Sequence, residues 1–307
     1  MKTTRQTANA IEIRNLSKSF HGMYAVDHLN MTVPIGAIYG FIGENGSGKS
    51  TTEKLICGHL VPDGGKIRLF GRDYTNAGVR MRVGALIENT GCFPNSSAWD
   101  NLMMQAINLG LERPAQEIGR VLEIVRMQEA ARVKFKSCSL GMKQRIGIAM
   151  ALLGDPALLI LDEPINGLDT DGMRIMREIL VDITRECSAT VLISSHILGE
   201  LEKIATHYGV IRQGRMIQEI SAREMESRAR VFVSVKTRDM RGAMDVLQAR
   251  YASVRAEDGD LRVYDVDQAE SIVACLLENG HAVREVKKNR VGLEEYYIEL
   301  MSKKEGA

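Results

Sequence analysis

No run of apolar residues in this sequence approaches the roughly 18 needed to span a bilayer as a helix, so the chain is not expected to cross a membrane by itself. Its start, Met1-Lys2-Thr3-Thr4-Arg5-Gln6-Thr7, has no apolar core, which argues against a secretory signal. Charge of one sign is missing too. A net charge of +1 excludes bulk electrostatic attraction to nucleic acid or to an anionic membrane. The short runs Lys287-Lys288 and Lys303-Lys304 read as solvated surface. Cysteines are few, odd in number and widely spaced: Cys57, Cys92, Cys138, Cys187 and Cys275. They suit neither a disulfide framework nor a zinc site, and they fit a reducing cytosol with each as a small packing residue. Internal repeats and low-complexity tracts are absent as well.

What remains is globular in character. A hydrophobic content of 45% with 26% charged residues over 307 positions allows a substantial core and one large or two ordinary domains. From Ile11 to about Arg215, apolar strand-like runs alternate with helical patterns, which predicts an α/β layer structure. Ile11-Glu12-Ile13 and Leu29-Asn30-Met31-Thr32-Val33 alternate like half-exposed antiparallel strands. Leu158–Leu161 and Thr190–Ser194 are nearly all apolar, as strands buried on both faces are. Between about residues 89 and 145 the pattern is mainly helical, with Ile118, Leu122 and Val125 among the spaced apolar positions. This segment reads as a helical insertion. Residues 1–220 are thus expected to form one domain and 221–307 a second. In the latter, the order βαββαβ from Val231 to about Val286 matches a ferredoxin-like split unit, with a loosely packed extension as the alternative. Ser221 and Glu224 just before it have the spacing of a capping box.

Gly43-Glu44-Asn45-Gly46-Ser47-Gly48-Lys49-Ser50 fits the phosphate-loop pattern: a Gly, four free positions, then Gly-Lys and Ser or Thr. Its glycines let the backbone close around a polyphosphate, Lys49 can reach the β- and γ-phosphates, and the Ser50 hydroxyl can ligate Mg²⁺. Tyr39–Ile42 before it reads as a strand and Ser50–Ile56 after it as a helix, which would aim free N–H groups at the anion. A Gly-rich turn without a ligand is the plainer alternative. Farther on, Leu158–Leu161 leads into Asp162-Glu163. The two acids then fall at the carboxyl end of a buried strand, where open α/β sheets place ligands. Asp162 is suited to hold Mg²⁺ and Glu163 to polarise an attacking water.

Ser139-Leu140-Gly141-Met142-Lys143-Gln144-Arg145 adds a third element. Together the three resemble the ATP-binding cassette (ABC) family, whose signature segment commonly reads Leu-Ser-Gly-Gly-Gln. Here Cys138 stands at the Leu position, Leu140 at the first Gly and Met142 at the Gln, while Ser139 and Gly141 are retained. The resemblance spans about Ile11 to Arg215. It implies a P-loop NTPase core with an antiparallel β subdomain and a helical insertion. It also implies ATP contacts from Gly43, Asn45, Gly46, Ser47, Gly48, Lys49, Ser50 and Thr51, and from Ser139 and Gly141 across a dimer.

Carried over one position at a time, Phe20 matches the aromatic that stacks on adenine, a core Phe being the alternative. Asp169 matches the loop that communicates across a cassette dimer, and a plain helix cap would also make sense of it. His196 matches the switch histidine that bonds the γ-phosphate. Glu88 stands where the family usually carries a Gln that touches Mg²⁺ and water. Around it, Ile87–Thr90, Phe93-Pro94-Asn95 and Asn101-Leu102 resemble the subgroup that exports bacitracin and lantibiotics or protects against them.

The resemblance therefore implies a membrane-associated ATPase on the cytoplasmic face of the cell membrane. It would bind ATP with Mg²⁺ held by Ser50, Asp162 and Glu88, and use Glu163 and His196 as catalytic residues. Two copies would pair head to tail beside separate permease subunits, with no nucleic-acid partner. Trp99 is either part of the permease-docking surface or a packed core residue. The rivals are a soluble cassette acting on ribosomes or DNA and an ATP-gated regulator. A single cassette without a long coiled-coil insertion speaks against the first, and intact Glu163 and His196 against the second.

Overall fold

The computed structural model describes residues 9–228, 230–257, 259–266 and 268–302. The chain divides into two compact units, one ending at Ala222 and the other starting at Arg223.

The first unit opens with two long strands, β1 (Asn9–Phe20) and β2 (Met23–Pro34), paired antiparallel as their alternation predicts. After β3 (Ile38–Ile42) and α1 (Lys49–Ile56), the strands β4 (Gly64–Leu69) and β5 (Arg72–Asp73) return to the same sheet, giving the order β2-β1-β4-β5. Ile11, Ile13, Leu16, Leu29, Met31, Val33, Ile67 and Leu69 send their side chains from this sheet into one core.

A short helix α2 (Ala77–Arg80) and β6 (Val83–Leu86) lead to the helical segment, which contains α3 (Ala98–Asn108), α4 (Pro114–Ile124) and α5 (Leu140–Leu152). Each start follows from local chemistry. Ser97 and Asp100 form a reciprocal capping box on α3, Pro114 occupies the first turn of α4, and the Ser139 hydroxyl accepts from Met142 N on α5. Ile118, Val121, Leu122 and Val125 are all buried along α4, the stripe expected from their spacing. The α5 helix runs past the expected end of this segment, because Ile146, Ile148, Ala149 and Leu152 continue into the core.

Beyond it come β7 (Leu158–Asp162), α6 (Thr170–Glu186), β8 (Thr190–Ser195), α7 (Leu198–Leu201), β9 (His207–Arg212) and β10 (Arg215–Ser221). The second sheet has the order β10-β9-β3-β8-β7-β6. Strands β9, β3, β8, β7 and β6 are parallel, and β10 closes one edge antiparallel. Leu158, Leu159, Ile160 and Leu161 are fully buried, as a strand covered on both faces requires. Each contributes about 1.5–3 kcal/mol relative to exposure. This topology decides where the chemistry can sit. Because β3, β8, β7 and β6 are neighbours and parallel, everything that follows them in sequence emerges at one edge of the sheet.

The second unit contains α8 (Ala222–Arg228), β11 (Val231–Thr237), α9 (Met240–Arg250), β12 (Val254–Glu257), β13 (Asp260–Tyr264), α10 (Ala269–Glu278), β14 (Val283–Arg290) and α11 (Leu293–Ser302). Its antiparallel sheet runs β12-β13-β11-β14, the βαββαβ arrangement of a ferredoxin-like unit. Val233, Val235, Leu261 and Val263 pack with Ala243 and Leu247 of α9 and with Ile272 and Leu276 of α10 into its own core. Phe232 and Tyr264 meet on the opposite face, ring centroids 5.4 Å apart, alongside Val291 and Tyr296. Neither packing nor composition of this unit points to a loose extension.

Candidate nucleotide-binding site

At two of its glycines the loop after β3 is held by contacts that leave no room for a side chain. A Cβ on Gly43 would lie 2.5 Å from Ser47 Oγ and 2.6 Å from the Ile211 carbonyl oxygen, so only glycine fits. Gly48 has φ +108, and a Cβ there would meet the Ala25 carbonyl oxygen at 2.3 Å. Lys49, the first residue of α1, is nearly buried, and its ammonium group donates to the carbonyl oxygens of Gly43 at 2.6 Å and Glu44 at 3.1 Å. A buried cation over a turn of backbone N–H groups at a helix start is a site for polyphosphate.

Asp162 and Glu163 leave β7 directly beside it. Asp162 Oδ1 accepts the Ser194 hydroxyl of the neighbouring strand at 2.7 Å, and the backbone N–H of Glu163 donates to Ser194 O and Oγ. Glu163 has φ +49, a left-handed conformation uncommon outside glycine. One carboxylate oxygen lies 3.9 Å from Lys49 Nζ and the other 2.8 Å from His196 Nδ1, just past the end of β8. The oxygen facing Lys49 is buried without a hydrogen-bond partner. Lys49, Glu163 and His196, far apart in sequence, therefore converge at one sheet edge. His196 is about half exposed, open to a ligand on its free side.

The Ser50 hydroxyl and the Asp162 carboxylate are hard oxygen donors of the kind Mg²⁺ takes when phosphates supply other ligands. Among the described residues, no three His, Cys, Asp or Glu side chains are grouped so as to hold a metal ion by themselves. Glu88 follows β6 at the same edge with φ +64, and its carboxylate pairs with Lys54 of α1 at 2.5 Å.

The other predicted residues fall as follows. Phe20 sits at the exposed tip of the β1–β2 hairpin, 42% accessible, which rules out a core role. Trp99 is half-buried beneath the Arg132 guanidinium, 5.1 Å from the ring centroid, so a fully packed core residue is corrected. Asp169 caps α6, accepting from Gly172 N at 2.8 Å. It also lines, with Ser139, Gly141, Arg145 and Leu168, a cleft of about 400 Å³. No phosphate-loop residue lines that cleft. Within one chain the signature segment and the phosphate loop serve different surfaces.

Three functional contributions were not anticipated from sequence. Ser194 fixes Asp162, and polar Ser194-Ser195 at the exit of an otherwise apolar strand was an available signal. Asp63 accepts from Lys18 Nζ at 2.7 Å and from Ser19 N and Oγ, anchoring the hairpin that presents Phe20. Those bonds, the Lys18 one foremost, hold its pKa down at about 2. Nothing local marked it, since its partners lie more than forty residues away. The third is Glu53 on α1, fully buried, whose pKa is pushed up to about 8, first by desolvation and then by the negative charge of Asp162.

Comparison with known proteins agrees with this geometry. A family model described as ABC transporter matches residues 26–166. The chain is 36% identical to the bacitracin transport ATP-binding protein BcrA of Bacillus licheniformis over 95% of this chain and 97% of that one. It is 39% identical to the lantibiotic transport ATP-binding protein SrtF of Streptococcus pyogenes, over 68% of this chain and 90% of SrtF. The structure of cbiO1 from Clostridium perfringens, part of the ABC transporter complex cbiONQ, superposes with a TM-score of 0.66 at 25% identity, covering 72% of this chain and 92% of cbiO1. A dimeric post-hydrolysis state of the cassette MJ0796, bound to ADP and Pi, shares the fold at a TM-score of 0.63 and 20% identity, covering 69% of this chain and 98% of that one. The chain belongs to the ABC transporter family, as one of its ATP-binding subunits.

Proposed function

We propose that this chain powers an exporter of peptide antibiotics or similar amphiphiles, acting through separate membrane subunits and giving resistance or immunity to the cell. The observation that carries the ATPase part is the convergence of Lys49, Glu163 and His196 at the carboxyl edge of the parallel sheet. ATP lies along the Gly43–Thr51 loop with Phe20 against the adenine. Lys49 and the free N–H groups of α1 hold its phosphates. Ser50 and Asp162 would hold Mg²⁺, with Glu88 facing the same edge, and the ion would supply charge neutralisation. Glu163, held between Lys49 and His196, orients a water for in-line attack, and His196 fixes that carboxylate from the side away from Lys49.

A second copy completes the site. Ser139 and Gly141 line a cleft separate from the phosphate loop, as expected if they contact the γ-phosphate bound by the other chain. Bound ATP then favours the closed pair, and loss of its γ-phosphate releases it. No helix among the described residues is long and apolar enough to cross a membrane, so a membrane output needs other subunits. Their docking place is a cleft of about 380 Å³ beside Glu88, lined by Asn89, Thr90, Gln105, Leu109, Gly147 and Met150. The names of the relatives support the cargo class. Affinity purification from detergent-solubilised membranes of the native cell tests this reading. It is expected to recover a polytopic subunit, whereas recovery with ribosomes or DNA instead would favour a soluble cassette.

Glu88 has a role that substitution separates from folding. Its pair with Lys54 is largely exposed and is worth less than about 1 kcal/mol, so Glu88→Gln leaves the fold intact. ATP binding is expected to persist, with an altered Mg²⁺ dependence of turnover or altered coupling to the permease. Unchanged Mg²⁺ dependence together with unchanged resistance in cells would remove the special role.

A further inference from the structure

One turn along α1 from Ser50 sits Glu53, a carboxyl group with no part in the loop, the acid pair or the switch histidine. It is completely buried, and neither carboxylate oxygen has a hydrogen-bond partner. A buried polar group left unpaired costs about 1–3 kcal/mol, and more when charged. An apolar side chain would fill the same place without that cost, so packing alone does not account for an acid here.

The helix geometry shows what the carboxyl faces. Glu53 follows Lys49 by four residues and Ser50 by three, which puts all three on one face. Side chains on a helix lean toward its N-terminus, so this carboxyl is tucked under the turn carrying Lys49 and Ser50. The charges that act on it are Asp162, Lys49 and Glu163, all members of the nucleotide site. Ser194 is close enough to favour its ionised form, yet that hydroxyl has a single proton, already given to Asp162 Oδ1 at 2.7 Å. Glu53 is left as an acceptor without a donor, within the field of the nucleotide site's charges.

We propose that Glu53 is a positioning residue of the metal site: once the charge of a divalent cation offsets its burial, its carboxylate accepts hydrogen bonds from the water shell of the cation that Ser50 and Asp162 would ligate. This rests on the assignment of Mg²⁺ to those two residues. Mg²⁺ keeps several of its waters, and each bound water needs an acceptor for its protons. Groups behind the direct ligands orient them and typically change metal affinity about 10–100-fold when removed.

The test is a titration of Mg²⁺, and in parallel Mn²⁺, into the full chain with a fluorescent ATP analogue, read as nucleotide binding without turnover. Glu53→Gln keeps the shape and Glu53→Leu removes the polar group. Both variants are expected to raise the metal concentration for half-maximal binding by about tenfold or more. Metal-free nucleotide affinity is expected to change less than about twofold, and Glu53→Leu to melt no lower than the wild type. If Glu53→Leu fails to fold, the Glu53→Gln titration still reads the metal midpoint. Midpoints within twofold of the wild type, with wild-type binding metal-dependent, would overturn the role of Glu53 alone. Wild-type binding indifferent to divalent metal would overturn the Mg²⁺ assignment and this role together.

Discussion

Glu163→Gln is expected to cut ATP turnover by about 10²–10⁴-fold, the usual contribution of a positioned general base, while leaving nucleotide binding in place. The substitution keeps the volume and keeps an oxygen for His196 Nδ1, which now lies 2.8 Å from the carboxylate. It removes the negative charge that an attacking water needs beside it. The oxygen nearer Lys49 has no hydrogen-bond partner but faces the ammonium group at 3.9 Å, so the variant trades an unsatisfied acceptor against a lost ion pair, and its melting temperature is expected to change by only a few degrees. Steady-state phosphate release and melting temperature measure the two effects. Turnover within a few-fold of the wild type would take the water-orienting role away from Glu163.

Lys49→Ala carries the second large effect. Its ammonium group is nearly buried against the Gly43 and Glu44 carbonyl oxygens, at the point where the loop enters α1. Hydrogen bonds to a charged group contribute about 1.5–3 kcal/mol, so ATP affinity should fall by about one to two orders of magnitude. Turnover should become undetectable, since the same cation neutralises charge developing on the γ-phosphate. Circular dichroism would confirm the fold, and a fluorescent nucleotide titration would measure affinity. Substantial remaining activity would remove the phosphate loop from its assigned task.

Much of this site was readable because its parts obey one topological rule. Gly43, Glu88, Glu163 and His196 each follow a parallel strand, and strands of one parallel set deliver their successors to one edge. An apolar run followed by an acid, or by Gly-rich spacing, is visible in sequence without knowing the strand order. The second unit was similarly legible, because period-2 and period-3.6 patterns alternate cleanly from Val231 onward.

What escaped was tertiary pairing. Asp63 reaches back to Lys18 and Ser19, and no local pattern announces a bond over that separation. Glu53 looked like an ordinary polar residue of a helix, because burial is set by what packs over α1 rather than by α1 itself. Trp99 misled for the opposite reason: a large aromatic suggests a core, yet a guanidinium covers this ring at the surface. Asp169 caps α6, the plainer of its two readings, and also lines the Ser139–Gly141 cleft.

Light scattering of purified Glu163→Gln, with Mg²⁺-ATP and then with ADP, tests most directly whether nucleotide is clasped between two copies. Twice the 34.0 kDa chain mass is expected in ATP, with a return to the single mass in ADP. A single mass under both nucleotides, with ATP demonstrably bound, would contradict it.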